Sequence, residues 1–339
     1  MSDITWHDAM QWPFEGSGWT DTLRHFDRLP GRAESCVDEA VWGLSRMSAG
    51  LSLRFTTDAR DIHARYDLLL DEISMSHMPA TGHSGLDLYA EDEEGIDRWV
   101  GIARPESRQV NVLLAEGLAP GQRRYTLYLP LYNSPETLAI GVPAGARIEP
   151  LAARSEKPIV FYGTSIMHGA SAARCGMAFP AQLSRRLGGP VLNLGFAGNG
   201  RMQAEVVDLL AELEASVFVI DCLPNMTADL VAEHSKPLVE RLRLAHPRTP
   251  ILLVEDRTYG NTRFYPDKAQ RHRDSRAALR ATWRELVDAG DDNLHYLQGS
   301  GLLPADGEAT VDSSHPTDLG MVAYADAYER ALRPILHLP

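Results

Sequence analysis

A serine two positions after a glycine on one turn, and an aspartate three positions ahead of a histidine far downstream, are the residues best suited to chemistry. The serine is Ser165, in Gly163-Thr164-Ser165-Ile166-Met167-His168. The preceding Pro158-Ile159-Val160-Phe161-Tyr162 is apolar, β-branched and aromatic, and predicts a buried strand. A helix-compatible stretch follows from Ala178 to Leu187. A side chain on such a strand-to-helix turn is exposed, with backbone N–H groups converging beside it, as an α/β enzyme requires of a nucleophile. The downstream pair is Asp312 and His315, in Asp312-Ser313-Ser314-His315-Pro316. A carboxylate and an imidazole on one short turn are what a serine hydroxyl needs to become reactive. Singly, each signal has a plainer reading. A Gly-x-Ser turn is ordinarily only a turn, and Asp312 or Thr317 could simply cap the helix that follows.

Positioning these groups requires a scaffold, and the pattern beyond residue 157 predicts one. Strands are expected at Val191–Leu194, Val217–Asp221, Ile251–Glu255 and Leu294–Leu297. Helices are expected at Met202–Leu213, Asp229–His246, Asp267–Ala289 and Thr317–Leu332. This alternation implies a parallel sheet covered on both faces, with ligands at the carboxyl edge of its strands. Ser165 would follow the first strand, Gly195-Phe196-Ala197-Gly198-Asn199-Gly200 the second, and Cys222-Leu223-Pro224-Asn225-Met226 the third. With Asp312 and His315 ahead of the last helix, all should meet on one edge.

The first part of the chain reads differently. Seven short alternating runs between about 50 and 145, separated by turn residues, predict an all-β sandwich or jelly roll. The first 45 residues, with Trp6, Trp12, Trp19 and Trp42, read as an irregular segment packed against it. Pro143, Gly145, Pro150 and Pro158 mark a linker over Val142 to Lys157. Two domains are therefore expected, 1–150 and 151–339.

The motifs together resemble the SGNH (GDSL-type) hydrolase family. Its blocks appear as Gly163-Thr164-Ser165-Ile166, Asn193-Leu194-Gly195-Phe196-Ala197-Gly198-Asn199, Asn225, and Asp312-Ser313-Ser314-His315-Pro316. The resemblance spans residues 157–335, and more loosely the whole chain looks like members in which a β-sandwich precedes a flavodoxin-like, three-layer α/β/α catalytic domain. It implies Ser165 as nucleophile, His315 as general base and Asp312 as the group that orients the imidazole. It also implies an oxyanion hole from the backbone N–H groups of Ser165 and Gly198 and the side-chain amide of Asn225. Glycine at 198 would let the backbone approach a tetrahedral intermediate without a Cβ clash. Two departures stand out. Thr164 replaces the usual acidic residue, and Asn225 lies between Pro224 and Met226 instead of in Gly-x-Asn-Asp.

Other residues carry weaker signals. His168 could line a pocket or face solvent, and the loop His77–His83 could reach a catalytic mouth or be a hairpin excursion. Glu255-Asp256-Arg257 could contact substrate or form a buried salt bridge; Cys222 reads as core packing, and Asp221 as either structural or a pocket wall. Twelve histidines without ligand spacing give no support to a metal. The Gly195–Gly200 run has the wrong spacing for a dinucleotide. No cofactor is needed.

Composition narrows the rest. Of 339 residues, 44% are hydrophobic and 23% charged, as in ordinary globular proteins. A net charge of −13 disfavours nucleic acid and anionic membranes as partners. No basic n-region or apolar h-region opens the sequence, and three scattered cysteines suggest no disulfide framework, so a cytoplasmic location is expected. The expected activity is that of a serine esterase acting on short acyl esters, acetyl foremost, of a saccharide or other small hydroxylated molecule. An acyltransferase with the same triad and a non-catalytic carbohydrate-binding protein are the rivals. A homo-oligomer is compatible with this sequence.

Overall fold

A computed structural model describes residues 3–339. The chain divides into two compact units. One holds the residues up to Gly31 together with Gly43–Ser155 and Ala172–Met177; the other holds Arg32–Trp42, Glu156–Ser171 and Ala178–Pro339. Two short segments, 32–42 and 172–177, thus depart from a single division near residue 150.

The first unit is built from β1 (Ile4–Asp8), β2 (Phe14–Glu15), β3 (Ser52–Thr57), β4 (Ile62–Leu68), β5 (Asp87–Glu91), β6 (Asp97–Ile102), β7 (Gln109–Ala115), β8 (Arg123–Tyr128), β9 (Pro135–Pro143) and β10 (Ile148–Pro150). Helix α1 (Glu39–Ser45) runs across the division at residue 43, and the single turn α2 (Ala80–His83) precedes β5. All pairings are antiparallel. One sheet runs β1-β9-β4-β7, the other β10-β3-β8-β5-β6 with β2 added to β3. Alternate residues of both sheets enter one core, including Leu53, Phe55, Ala64, Tyr66, Leu88, Tyr125, Leu127 and Ile140. The result is the expected β-sandwich.

Two expectations are corrected. The opening residues are not irregular throughout: Ile4–Asp8 pairs with β9, and Trp12 packs against Phe55 in the core with ring centroids 5.6 Å apart. The supposed linker is shorter, because β9 continues to Pro143 and β10 pairs with β3. Arg154 then closes the sandwich, donating to the buried Glu15 carboxylate through Nε (3.0 Å) and Nη2 (2.6 Å).

The second unit follows the order β11 (Ile159–Gly163), α3 (Ser165–His168), α4 (Phe179–Leu187), β12 (Val191–Gly195), α5 (Ala204–Leu210), β13 (Val217–Asp221), α6 (Ala228–Ala245), β14 (Ile251–Val254), α7 (Pro266–Asp288), β15 (Leu294–Leu297) and α8 (Asp318–Ile335). Every strand pair is parallel, in the order β12-β11-β13-β14-β15. β11, β12 and β13 are buried at every position, as a sheet covered on both faces demands. The order reverses at β11, so the carboxyl ends of β11, β12 and β13 form the crevice where such sheets bind ligands. No described helix is long and apolar enough to cross a membrane.

Candidate active site

Ser165 opens a single helical turn, α3, directly after β11; Gly169, at φ 107°, ends it. The turn is tied down from β12, where the buried Asn193 donates through Nδ2 to Met167 O at 2.8 Å. Register then fixes depth. Gly163 lies opposite both Gly195 and Asp221, so three chains leave the sheet at one level. There is no room for larger residues here: a Cβ on Gly200 would lie 2.0 Å from Gly163 O, and one on Gly195 2.2 Å from the His168 amide nitrogen.

His315 comes from a tight turn ahead of α8. Thr310 and Pro316 bridge across it, Val311 N donates to His315 O at 2.9 Å, and Ser313 takes a left-handed φ of 71°. Asp312 organises this turn. Its Oδ1 accepts from the amides of Ser314 (2.9 Å) and His315 (2.7 Å), and its Oδ2 lies 2.7 Å from His315 Nδ1. The other ring nitrogen, Nε2, lies 2.9 Å from Ser165 Oγ. The hydroxyl, imidazole and carboxylate singled out from the sequence form one hydrogen-bonded chain.

Burial raises the affinity of Asp312 for a proton, but the His315 amide, its ring and the Ser314 amide outweigh this and bring the carboxyl down to about 2. Asp312 is therefore an anion throughout the neutral range. Thr317, not Asp312, occupies the cap of α8, so the capping alternative for Asp312 is excluded.

The remaining sequence candidates separate clearly. Asn225 closes a short 3-10 turn after β13, a loop that Arg271 of α7 holds by donating to Pro224 O at 2.8 Å. Asn225 Oδ1 is buried and has no hydrogen-bond partner among the described residues. Gly198 adopts φ 72°, and a Cβ there would meet nothing within 4 Å of the protein. What the fold requires of Gly198 is its left-handed backbone, not space beside it. His168 does not face solvent; it closes the nucleophile turn and is fully buried.

Asp221 is also buried and accepts from Tyr328 Oη of α8 at 2.6 Å; burial above all pushes its carboxyl up to about 7. Cys222 is core, as expected. Glu255-Asp256-Arg257 resolves as buried ion pairing. Arg257 pairs with Asp256, and Glu255 accepts from Tyr296 Oη at 2.7 Å and from the Gly299 amide at 3.0 Å. His272 of α7, which no sequence signal marked, lies 2.9 Å from Asp256. Among the described residues no group of acidic, histidine and cysteine side chains could hold a metal ion.

Residues 156–333 match the family model described as GDSL-like lipase/acylhydrolase, which is more than half of the chain. The chain belongs to this family. It is accordingly a carboxylic ester hydrolase, preceded by the second match, residues 4–148, to the GxDLY model of the N-terminus of SGNH-hydrolase-type esterases. Gly85, Asp87, Leu88 and Tyr89 spell that motif. The buried Asp87 accepts from Arg174 Nη1 (2.9 Å), the Gly176 amide (2.8 Å) and Trp99 Nε1 (3.0 Å). The motif thus holds the 172–177 segment to the sandwich unit, and the 77–83 loop helps: Cys175 Sγ donates to Gly82 O at 3.5 Å.

Comparison with curated proteins gives no match. Among solved structures, one described as a GDSL-like lipase from Bacteroides ovatus is 31% identical over 99% of both chains, with a TM-score of 0.95. The salicylyl-acyltransferase SsfX3 of a tetracycline biosynthetic pathway is 20% identical over 98% of this chain and 97% of its own, with a TM-score of 0.76. A family two carbohydrate esterase from Cellvibrio japonicus is 13% identical over 99% of both chains, with a TM-score of 0.64. The latter two likenesses are of fold.

Proposed function

We propose that this GDSL-family hydrolase is a serine esterase that removes short acyl groups, acetyl foremost, from a carbohydrate or other small hydroxylated molecule. The observation that carries the mechanism is the chain Ser165 Oγ–His315 Nε2 at 2.9 Å and His315 Nδ1–Asp312 Oδ2 at 2.7 Å. His315 takes the serine proton as Oγ attacks the ester carbonyl. The imidazolium, stabilised by Asp312, then returns that proton to the departing alcohol and leaves an acyl-enzyme. A water activated by the same imidazole releases the acid. The Asn225 amide and the backbone N–H groups of Ser165 and Gly198 are assigned to the oxyanion. On this assignment, Asn225→Ala lowers kcat by roughly 10²- to 10³-fold with little change in KM. Steady-state kinetics on one ester checks it, and an unchanged kcat removes Asn225 from the site.

The saccharide assignment draws on fold analogy with carbohydrate esterases. The test is hydrolysis of p-nitrophenyl esters of graded chain length beside acetylated sugars. Turnover should fall steeply beyond short acyl chains; equal rates out to long chains overturn the short-chain reading. A sugar acceptor added to the same assay separates hydrolysis from acyl transfer, the alternative that the acyltransferase fold likeness keeps in view.

A further inference from the structure

We propose that Arg257 is a positioning residue for the catalytic base, clamping the His315 turn onto the end of β14. The proposal rests on the triad reading given above. Arg257 has no exposed surface, and its guanidinium divides its work between two directions. Nη1 pairs with Asp256, while Nη2 donates to Ser314 O at 2.8 Å and to Ser314 Oγ at 2.6 Å. Ser314 is the residue between Ser313 and His315, inside the turn that carries both Asp312 and His315.

A buried cation must be paired, and Asp256 alone would satisfy that requirement. A second prong spent on a turn carrying the triad needs a separate reason. The turn supplies one. Its own hydrogen bonds, from the Ser314 and His315 amides to Asp312 and from Val311 N to His315 O, fix its shape. Ser313 holds a left-handed φ of 71°, a conformation that persists in a non-glycine residue only when the surroundings impose it. Internal bonds cannot fix where the turn sits relative to the helical turn that carries Ser165. Arg257 reaches it from the sheet.

Arg257 is itself immobilised. Asp256 lies 2.9 Å from His272 Nδ1, Arg276 Nε donates to Asp256 O at 2.8 Å, and the guanidinium stacks 4.8 Å from the Tyr259 ring centroid. Helix α7 therefore braces both sides of the site, with Arg271 on the Asn225 loop and His272 behind the Arg257 clamp. Lysine at 257 could keep the charge but could not serve both directions at once.

The experiment compares Arg257→Gln, Arg257→Lys and Ser314→Ala with wild type, reading kcat and KM separately. It also follows the rate of Ser165 labelling by a serine-directed phosphonate, the downfield His315 Nδ1 proton resonance, and Tm. Arg257→Gln should lower kcat and labelling by about 10²-fold, the cost of a small misplacement of a reacting group, with KM held. The Nδ1 resonance should persist, because the bond to Asp312 is internal to the turn. Arg257→Lys should recover part of the loss, and Ser314→Ala should show a smaller loss in the same direction. A folded Arg257→Gln enzyme with wild-type kcat, or one that loses only Tm, overturns the proposal. If Arg257→Gln does not fold, Arg257→Lys and Ser314→Ala decide, and wild-type kcat in both overturns it. A wild-type enzyme that takes no label at Ser165 points instead to failure of the triad reading.

Discussion

Ser165→Ala is expected to abolish ester turnover, a loss of roughly 10⁶-fold in kcat, and adding His315→Ala should cost little more. The two groups act as one unit: without the hydroxyl there is no acyl-enzyme, and without the imidazole 2.9 Å away the hydroxyl is not deprotonated. Whatever rate remains would come from substrate binding and the oxyanion donors alone. The check combines kinetics with mass spectrometry after phosphonate treatment. One adduct should appear on wild type, at Ser165, and none on the alanine variant. An alanine variant that keeps its turnover, or still takes the adduct, would remove Ser165 from the chemistry.

Asp312→Asn should lower kcat by roughly 10⁴-fold while leaving the turn folded. An asparagine can still offer an oxygen to the two amides that Oδ1 now serves. Its NH₂ group, however, would face His315 Nδ1, 2.7 Å away in the native site, and favour the wrong tautomer toward Ser165. The native carboxyl titrates at about 2. Because that value is depressed, the stability Asp312 contributes is fully present above the ordinary value of 3.8 and is lost as pH falls through about 2. Any acid limb of kcat/KM well above pH 4 therefore does not belong to Asp312. A pH–rate profile of both proteins checks this, and an asparagine variant within tenfold of wild type would contradict the orienting role.

The sequence made the parallel domain legible because its signals are local. Each buried strand, such as Val217–Asp221, is a short apolar run whose end marks a loop, and the register of Gly163 with Gly195 and Asp221 then brings the motifs to one edge. The sandwich was less legible at its ends. Ile4–Asp8 is a strand only because residues 135–143, far along the chain, offer it an edge, and β10 likewise borrows one from β3. Side-chain partnerships across long separations escaped entirely. Arg257 could be named as one half of a buried pair, but nothing in the sequence joins it to Ser314 or brings His272 to Asp256. At Gly198 the sequence could not show the left-handed φ of 72° that the loop adopts there.

The acid and the base share one five-residue hairpin, held in shape by that same acid, whereas the nucleophile stands on a separate helical turn after β11. Any displacement of the hairpin therefore carries both groups together. Carboxylate and ring keep their spacing, and within the triad the length that changes is the one from ring to hydroxyl. The enzyme's competence thus reduces to a single adjustable gap, closed when the hairpin is seated and opened when it lifts.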